Sequence, residues 1–242
     1  MKPVRSSAML RRHPEVAVSP APVARRSLTR FIGRTAVITV VLSAATSCAL
    51  GQRPTLEATP TAVGTMTGDE AIDGVLIRMD GVGDSVFTAE YTALLAFGGT
   101  TSSVTVTQDG SAPPSVRRSV TIGDVRYIST DDAKSTCSVA ATECASGIDA
   151  ARVSDTGVTP DFAFGDMAKR LRRDAVARIG ATTASTRDIA GATATCVDVP
   201  VTGGTKQYCV FDNGVLARFV GGDVTIDATS YAPTVNESLF VV

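Results

Sequence analysis

Histidine and tryptophan are almost missing from this chain of 242 residues. Tryptophan does not occur, and His13, close to the start, is the single histidine. Residues 48–242 contain no histidine, so the Ser-His and Cys-His pairs of most nucleophilic enzymes cannot form within them. The cysteines also lack the CxxC spacing that is typical of zinc sites. The sequence therefore predicts no catalytic site, no metal site and no cofactor, and we do not expect an enzyme.

Basic residues are scarce after position 47. Of the 23 Lys and Arg residues, eight precede Cys48, whereas only one of the 24 acidic residues does. The rest of the chain therefore holds 15 basic and 23 acidic residues, a net charge near −8. Because affinity for nucleic acid depends on clustered Lys and Arg side chains, this excess of acid predicts no nucleic-acid partner.

An uncharged run spans residues 35–52 and follows a segment that contains four arginines. A basic stretch, a short apolar stretch and then small residues form the pattern of an export signal. The residues Ala45-Thr46-Ser47-Cys48 resemble the lipobox of bacterial lipoproteins. This resemblance implies cleavage before Cys48 and acylation of its sulfur, which would anchor the protein at the outer face of the cell membrane. Ala45 departs from the pattern, since that family more often has Leu there.

Two other interpretations of the run remain open. Cleavage could be of the ordinary secretory kind, with Cys48 incidental. Alternatively the run could stay uncleaved, since 18 uncharged residues are close to the minimum for a bilayer helix. Its second half contains Thr, Ser, Gly51 and Gln52, and this polarity favours cleavage. The pair Arg25 and Arg26 leaves general and twin-arginine export both open.

The composition divides the chain into three segments. Residues 1–47 are predicted to be a lipoprotein-type export signal with a long basic start. Residues 48–65 are predicted to be the acylated cysteine and a flexible tether, because they are rich in Thr, Pro and Ala and have no periodicity. Residues 66–242 are predicted to form one domain, since about 177 residues suit one core and are few for two.

Four cysteines lie in the predicted domain: Cys137, Cys144, Cys196 and Cys209. Four cysteines allow three pairings, and export favours their oxidation. Cys196 and Cys209 flank a turn signal at residues 202–204 within two strand-like runs, so they would face each other across an antiparallel hairpin. Cys137 and Cys144 would then close a short polar loop.

Two helices are predicted. Thr67-Gly-Asp-Glu70 has the form of a capping box, and an apolar stripe follows it to an end near Gly81. Pro160 precedes a second helix, residues 161–179, whose cations lie mostly off its apolar stripe. The first stripe consists of Ile72, Val75, Leu76 and Met79, and the second of Phe164, Ala168, Leu171, Ala175 and Ile179.

About nine strands are predicted from alternating apolar residues separated by Gly-containing turns. They are residues 86–97, 103–108, 116–122, 125–129, 183–189, 192–201, 206–211, 216–220 and 224–231. Residues 130–160 are predicted to be a polar loop. Such short connections favour an antiparallel meander. We therefore expect an α+β fold, a strongly curved antiparallel sheet forming an unclosed half-barrel, with the two helices over its concave face.

The order of these elements resembles actinobacterial cell-envelope lipoproteins of the LolA/LppX/LprG type. The residues that carry the resemblance are Asp188-Ile-Ala-Gly-Ala-Thr-Ala-Thr-Cys196, Tyr208-Cys-Val-Phe-Asp-Asn-Gly214, Asp227-Ala-Thr-Ser-Tyr231 and Val235-Asn-Glu-Ser-Leu-Phe240. The resemblance implies the half-barrel fold and a role in carrying lipids or lipidated molecules. It implies no catalytic residue.

The resemblance and the apolar strands favour a membrane-anchored protein that binds a lipid or another amphiphile in an apolar cavity. A surface-anchored protein-interaction or sensory module, with an unknown protein partner, is the alternative. The cations Lys169, Arg170, Arg172 and Arg173 are expected either at the rim of the cavity or on a solvated helix face. The candidate cavity residues are Phe87, Tyr91, Leu95, Phe97, Val104, Val106 and Leu171.

Overall fold

Eleven antiparallel strands form one sheet in the computed structural model, which describes residues 64–241. The strands are β1 (Val86–Leu95), β2 (Thr101–Ala112), β3 (Ser115–Ile122), β4 (Val125–Ser129), β5 (Lys134–Ser138), β6 (Glu143–Ser146), β7 (Thr183–Ile189), β8 (Ala192–Val201), β9 (Gly204–Phe211), β10 (Leu216–Val220) and β11 (Val224–Ala232). The helices are α1 (Glu70–Asp80), α2 (Ala150–Thr156) and α3 (Met167–Val176). The export signal, Cys48 and the predicted tether up to residue 63 lie outside the described residues.

The sheet consists of two meanders that meet at its centre. Its order is β6-β5-β4-β3-β2-β1-β11-β10-β9-β8-β7, so β1 pairs with β11 and the segment carrying α2 and α3 connects the two edges. The edge strands β6 and β7 do not pair with each other, and the sheet is therefore open. This confirms the predicted α+β fold with an unclosed antiparallel sheet.

The predicted polar loop at residues 130–160 is wrong. It contains β5 and β6, which raise the strand count from nine to eleven, and then α2. All four residues of β6 are exposed, so the segment has no alternation of apolar and polar residues for a sequence pattern to detect. The hairpin depends instead on its backbone pairing and on the disulfide between Cys137 and Cys144.

Helix α1 begins two residues later than the capping box predicted. Its N-cap is Asp69, whose carboxylate accepts hydrogen bonds from the N–H groups of Ala71 and Ile72, each at 3.1 Å. The stripe of four apolar residues is buried as predicted. Asp73 accepts a hydrogen bond from the Thr67 N–H at 2.7 Å, so the threonine is held by the helix and does not cap it.

The second predicted helix is interrupted at its start. Phe162–Asp166 form a π-helical turn in which Phe164 has non-helical angles (φ −119°, ψ −118°), and α3 begins only at Met167. Because of this irregular turn, the rings of Phe162 and Phe164 are both buried in the core. In a continuous helix, residues two apart would point in different directions. The helix also ends earlier than predicted, and Ile179 is exposed.

The core forms where the helices pack against each other and against the sheet. The ring of Phe162 meets that of Tyr91 edge-on at 5.2 Å, and the ring of Phe164 lies 6.2 Å from that of Phe87. The buried Tyr91 hydroxyl donates a hydrogen bond to the Leu216 carbonyl at 2.9 Å, which links β1 to β10. These contacts fill the space beneath the first half of β1.

A C-terminal segment covers the opposite face of β1–β3. The Asn236 N–H donates to the Thr107 hydroxyl at 3.2 Å, and the Ser119 hydroxyl donates to the Leu239 carbonyl at 2.6 Å. Both hydroxyl residues are buried, although the strand pattern alone would leave them facing water. All of the contacts described here lie within residues 64–241, so a chain that begins at residue 56 retains this whole core. No helix among these residues is long and apolar enough to cross a membrane.

Candidate functional site

A groove of about 760 Å³ opens beside the first turns of α3. It lies between that helix, the turn after β1 and the start of β11. Its lining consists of Leu95, Phe97, Gly157, Val158, Thr159, Phe162, Asp166, Met167, Lys169, Arg170, Arg173, Asp223, Val224 and Ile226. The volume falls within the range of about 300–1,000 Å³ that is usual for small-molecule sites. We call this feature the α3 groove.

The floor of the α3 groove is apolar. Val158, Phe162, Met167 and Ile226 are buried and contribute apolar side chains from three different segments. Phe97 lies at the mouth of the groove, and 88% of its surface is exposed to solvent. An aromatic ring left in water beside an apolar groove is a surface that a ligand could cover with a gain in free energy.

The rim of the groove is charged because α3 is amphipathic. Asp166, Arg170 and Arg173 recur at helical spacing on the side that faces the groove, while Ala168 and Leu171 point into the core. The helix therefore separates an apolar interior from a polar edge. A site built in this way suits a ligand that is itself apolar at one end and polar at the other.

Arg170 and Asp223 form a bidentate pair that closes one side of the rim. The distance from Arg170 Nη1 to Asp223 Oδ2 is 3.0 Å, and the guanidinium also lies 4.5 Å from the centre of the Phe219 ring. Burial alone would raise the pKa of the Asp223 carboxyl, but the Arg170 hydrogen bonds hold it below its usual value. Burial would likewise lower the pKa of Arg170, and Asp223 raises it. Both groups are therefore charged at neutral pH.

A second pair lies one turn away on the same rim. Lys169 Nζ is 3.3 Å from Asp166 Oδ1, and the Thr159 hydroxyl donates to Asp166 Oδ2 at 2.8 Å. Both carboxylates that line the groove are thus engaged. Arg173 is exposed, and its guanidinium has no ion pair or hydrogen bond within the part of the chain that the structure describes.

Two charged residues of α3 do not lie on a solvated face. Arg172 is buried and pairs with Asp80 of α1. Asp174 is also buried, and it accepts hydrogen bonds from the Tyr208 hydroxyl and from Lys206 Nζ, the latter at 2.6 Å. Burial, followed by the hydrogen bond to Asp174 and then the Asp174 charge, raises the pKa of Tyr208. These interactions connect α3 to α1 and β9, and neither Arg172 nor Asp174 lines the groove.

The structure separates the predicted cavity residues into two groups. Leu95 and Phe97 line the α3 groove. Phe87, Tyr91, Val104, Val106 and Leu171 lie in the closed core beneath the helices and do not line it. The reason is that Phe162 and Phe164 occupy the space over the first part of β1.

Several groove residues were not among the sequence candidates. Val158 comes from the segment that leads into α3, Met167 is the first residue of α3, and Val224 and Ile226 come from the last strand. The sequence signal that could have located the groove was the polar side of the second predicted helix, because Arg170 and Arg173 were expected either at the rim of a cavity or on a solvated face. Among residues 64–241 no group of three or more His, Cys, Asp or Glu side chains could hold a metal ion.

No protein-family model matches the chain, and no curated protein matches it. Among solved structures it is similar to MucB, with 11% identity and a TM-score of 0.49 over 72% of this chain and 64% of that one. It is similar to LprF from Mycobacterium bovis, with 12% identity and a TM-score of 0.38 over 72% of this chain and 98% of that one. It is also similar to a DUF1329 family protein from Desulfovibrio piger, with 9% identity and a TM-score of 0.32 over 69% of this chain and 92% of that one. The chain thus spans less than two thirds of the length of MucB. Because these identities and TM-scores are low, a function is proposed from the α3 groove and not from these similarities.

Proposed function

We propose that this protein is an exported envelope lipoprotein whose domain binds a lipid or another amphiphile in the α3 groove. The observation that carries the proposal is an apolar groove of about 760 Å³ with a charged rim and an exposed aromatic ring at its mouth. Burial of an acyl chain there would contribute roughly 25 cal/mol per Å² of apolar surface removed from water. The proposal includes membership of the LolA/LppX/LprG-type lipoproteins and no catalytic step.

The groove is the better basis for this proposal than the core residues first predicted. Phe87 and Tyr91 make aromatic contacts with the helical segment, so a ligand would have to displace those rings. A ligand in the α3 groove would instead cover Phe97 and contact Val158 and Met167 without displacing a packed side chain.

Replacement of Phe97 by serine is expected to lower ligand affinity about tenfold and to leave stability within about 0.5 kcal/mol. The ring is exposed, so its loss opens no cavity in the core, but it removes apolar surface from the mouth of the groove. Residues 56–242 are exported behind a cleavable secretory signal, purified and extracted with organic solvent, and the lipid recovered per protein is measured by mass spectrometry.

The matched control for this prediction is Ile77→Ser, since Ile77 is 57% exposed on α1 and does not line the groove. This variant should retain the lipid of the unmodified protein. Equal lipid recovery from both variants would contradict binding in the α3 groove. A lipid-free extract together with a co-purifying protein would favour the surface-anchored interaction or sensory module instead.

The anchor is tested separately at Cys48. Replacement of Cys48 by alanine should abolish incorporation of labelled fatty acid, because the proposed acylation requires the cysteine sulfur. The variant should then be membrane-associated only as an unprocessed precursor. Labelling that persists in Cys48→Ala would exclude this anchor without affecting the proposal for the groove.

A further inference from the structure

The charges on the rim of the α3 groove do not balance. Within residues 64–241, five charged side chains line it, three of them cationic and two of them anionic. Asp166 is engaged by Lys169 and Thr159, and Asp223 is engaged by Arg170. The remaining positive charge belongs to Arg173, which is exposed and unpaired within residues 64–241.

The position of Arg173 concentrates positive charge at the rim. It follows Lys169 by four residues and Arg170 by three, so the three side chains are neighbours on the surface of α3. Like charges at this spacing destabilise a helix slightly, and no acidic side chain of the described residues compensates at Arg173. Arg173 is therefore the cation of the rim with which an anionic ligand can pair without breaking an ion pair that the structure shows.

We infer that Arg173 binds the anionic head group of an amphiphile, an apolar chain of which occupies the α3 groove. This inference rests on the proposed function and adds the chemical class of the ligand. Arginine offers a planar set of N–H donors that matches the oxygens of a phosphate or carboxylate. With the chain on the floor formed by Val158, Phe162 and Met167, the head group would leave the groove at the rim, where Arg173 lies.

A purely structural role for Arg173 makes a different prediction. Arg173 lies in the last turn of α3, where a cation interacts favourably with the helix dipole. In that case its removal would lower stability and would not change the preference between ligands. The two roles are therefore separated by ligand preference, measured beside thermal stability.

The test compares two probes with the same acyl chain, palmitoyl lysophosphatidic acid and monopalmitoyl glycerol, which differ only in the phosphate. Dissociation constants for residues 56–242 are measured by calorimetry at low salt, with each probe below its micelle concentration. The phosphate probe should bind about fivefold more tightly, the upper range for an exposed ion pair, and higher salt should reduce this preference. Arg173→Gln should remove the preference and leave the affinity for monopalmitoyl glycerol unchanged, whereas Arg173→Lys should retain most of it.

The matched control is Arg187→Gln, which removes an exposed cation of β7 that is also unpaired within the described residues and does not line the groove. This variant should retain the full preference. Equal binding of the two probes by the unmodified protein, or a preference that survives in Arg173→Gln, would overturn the head-group inference while leaving lipid binding in place. Binding of neither probe would overturn lipid binding as well. Glycerol phosphate bound as tightly as the phosphate probe would indicate a free phosphate site and would also overturn the inference.

Discussion

Replacement of Gly214 by alanine should lower the free energy of unfolding by about 4 kcal/mol, a large effect for one methyl group. Gly214 lies in the turn between β9 and β10 with φ +82°, a conformation that costs an L-residue about 1–2 kcal/mol. A Cβ atom there would also overlap the carbonyl group of Arg78 in the last turn of α1. Relief of this overlap requires a backbone shift, which adds roughly 1–3 kcal/mol.

The control for Gly214 is the same substitution at Gly203, in the turn between β8 and β9. Gly203 has φ +93°, but apart from the glycine and its two chain neighbours no heavy atom of the described residues lies within 4 Å of the position that a Cβ atom would take there. Gly203→Ala should therefore cost only about 1–2 kcal/mol. Urea denaturation of residues 56–242 measures both variants. If Gly214→Ala costs no more than Gly203→Ala, the turn does not press against α1 as described.

Removal of the disulfide between Cys196 and Cys209 should cost about 3–4 kcal/mol. The two cysteines are directly opposite on β8 and β9, and both are fully buried. A link across 13 residues restricts the unfolded chain by an amount worth roughly 3 kcal/mol. The double variant Cys196→Ala/Cys209→Ala also loses two sulfur atoms from the core, and the space they leave adds to the cost.

The second disulfide provides the comparison. Cys137 and Cys144 are separated by only seven residues, and Cys144 is exposed. Cys137→Ala/Cys144→Ala should therefore cost about 2 kcal/mol, less than the first pair. Urea denaturation under non-reducing conditions measures both double variants. A larger loss from the Cys137–Cys144 pair would contradict the importance assigned to burial of the other disulfide.

Most strands could be predicted from the sequence because their signals are local. The bounds of β4, β7, β8 and β10 agree with the predicted ranges residue for residue. In β8 the buried side chains recur mostly at alternate positions, and glycine-containing turns flank the strand. The same regularity places Cys196 opposite Cys209, as the hairpin register required.

The errors occur where a local pattern competes with tertiary packing. The stripe through Phe164 and Ile179 predicted one long helix, but Phe164 leaves the helical conformation to reach the ring of Phe87. At the other end, Ile179 leaves the helix and its N–H binds the Pro200 carbonyl at 3.0 Å. Strands β5 and β6 were missed for the opposite reason. Every residue of the edge strand β6 is exposed, and β5 buries only Thr136 and Cys137, so neither strand carries an apolar alternation.

The candidate site was predicted only in part. Leu95 and Phe97 line the groove, but five other candidates are core residues. Periodicity indicates which side chains share a face of a strand, and it does not indicate what covers that face. The groove depends on how far α3 lies from the end of β1 and from the start of β11. These three segments are far apart in the sequence.

The sequence by itself determined the α+β class, the antiparallel strands and turns, and the facing cysteines, because each follows from the properties of neighbouring residues. Only the tertiary structure decided that Phe162 and Phe164 fill the space over Phe87 and Tyr91. It also decided that the open apolar surface lies at the end of β1, beside Arg173. Those outcomes depend on how side chains from distant segments pack into a shared volume at close to crystalline density, which no local pattern encodes.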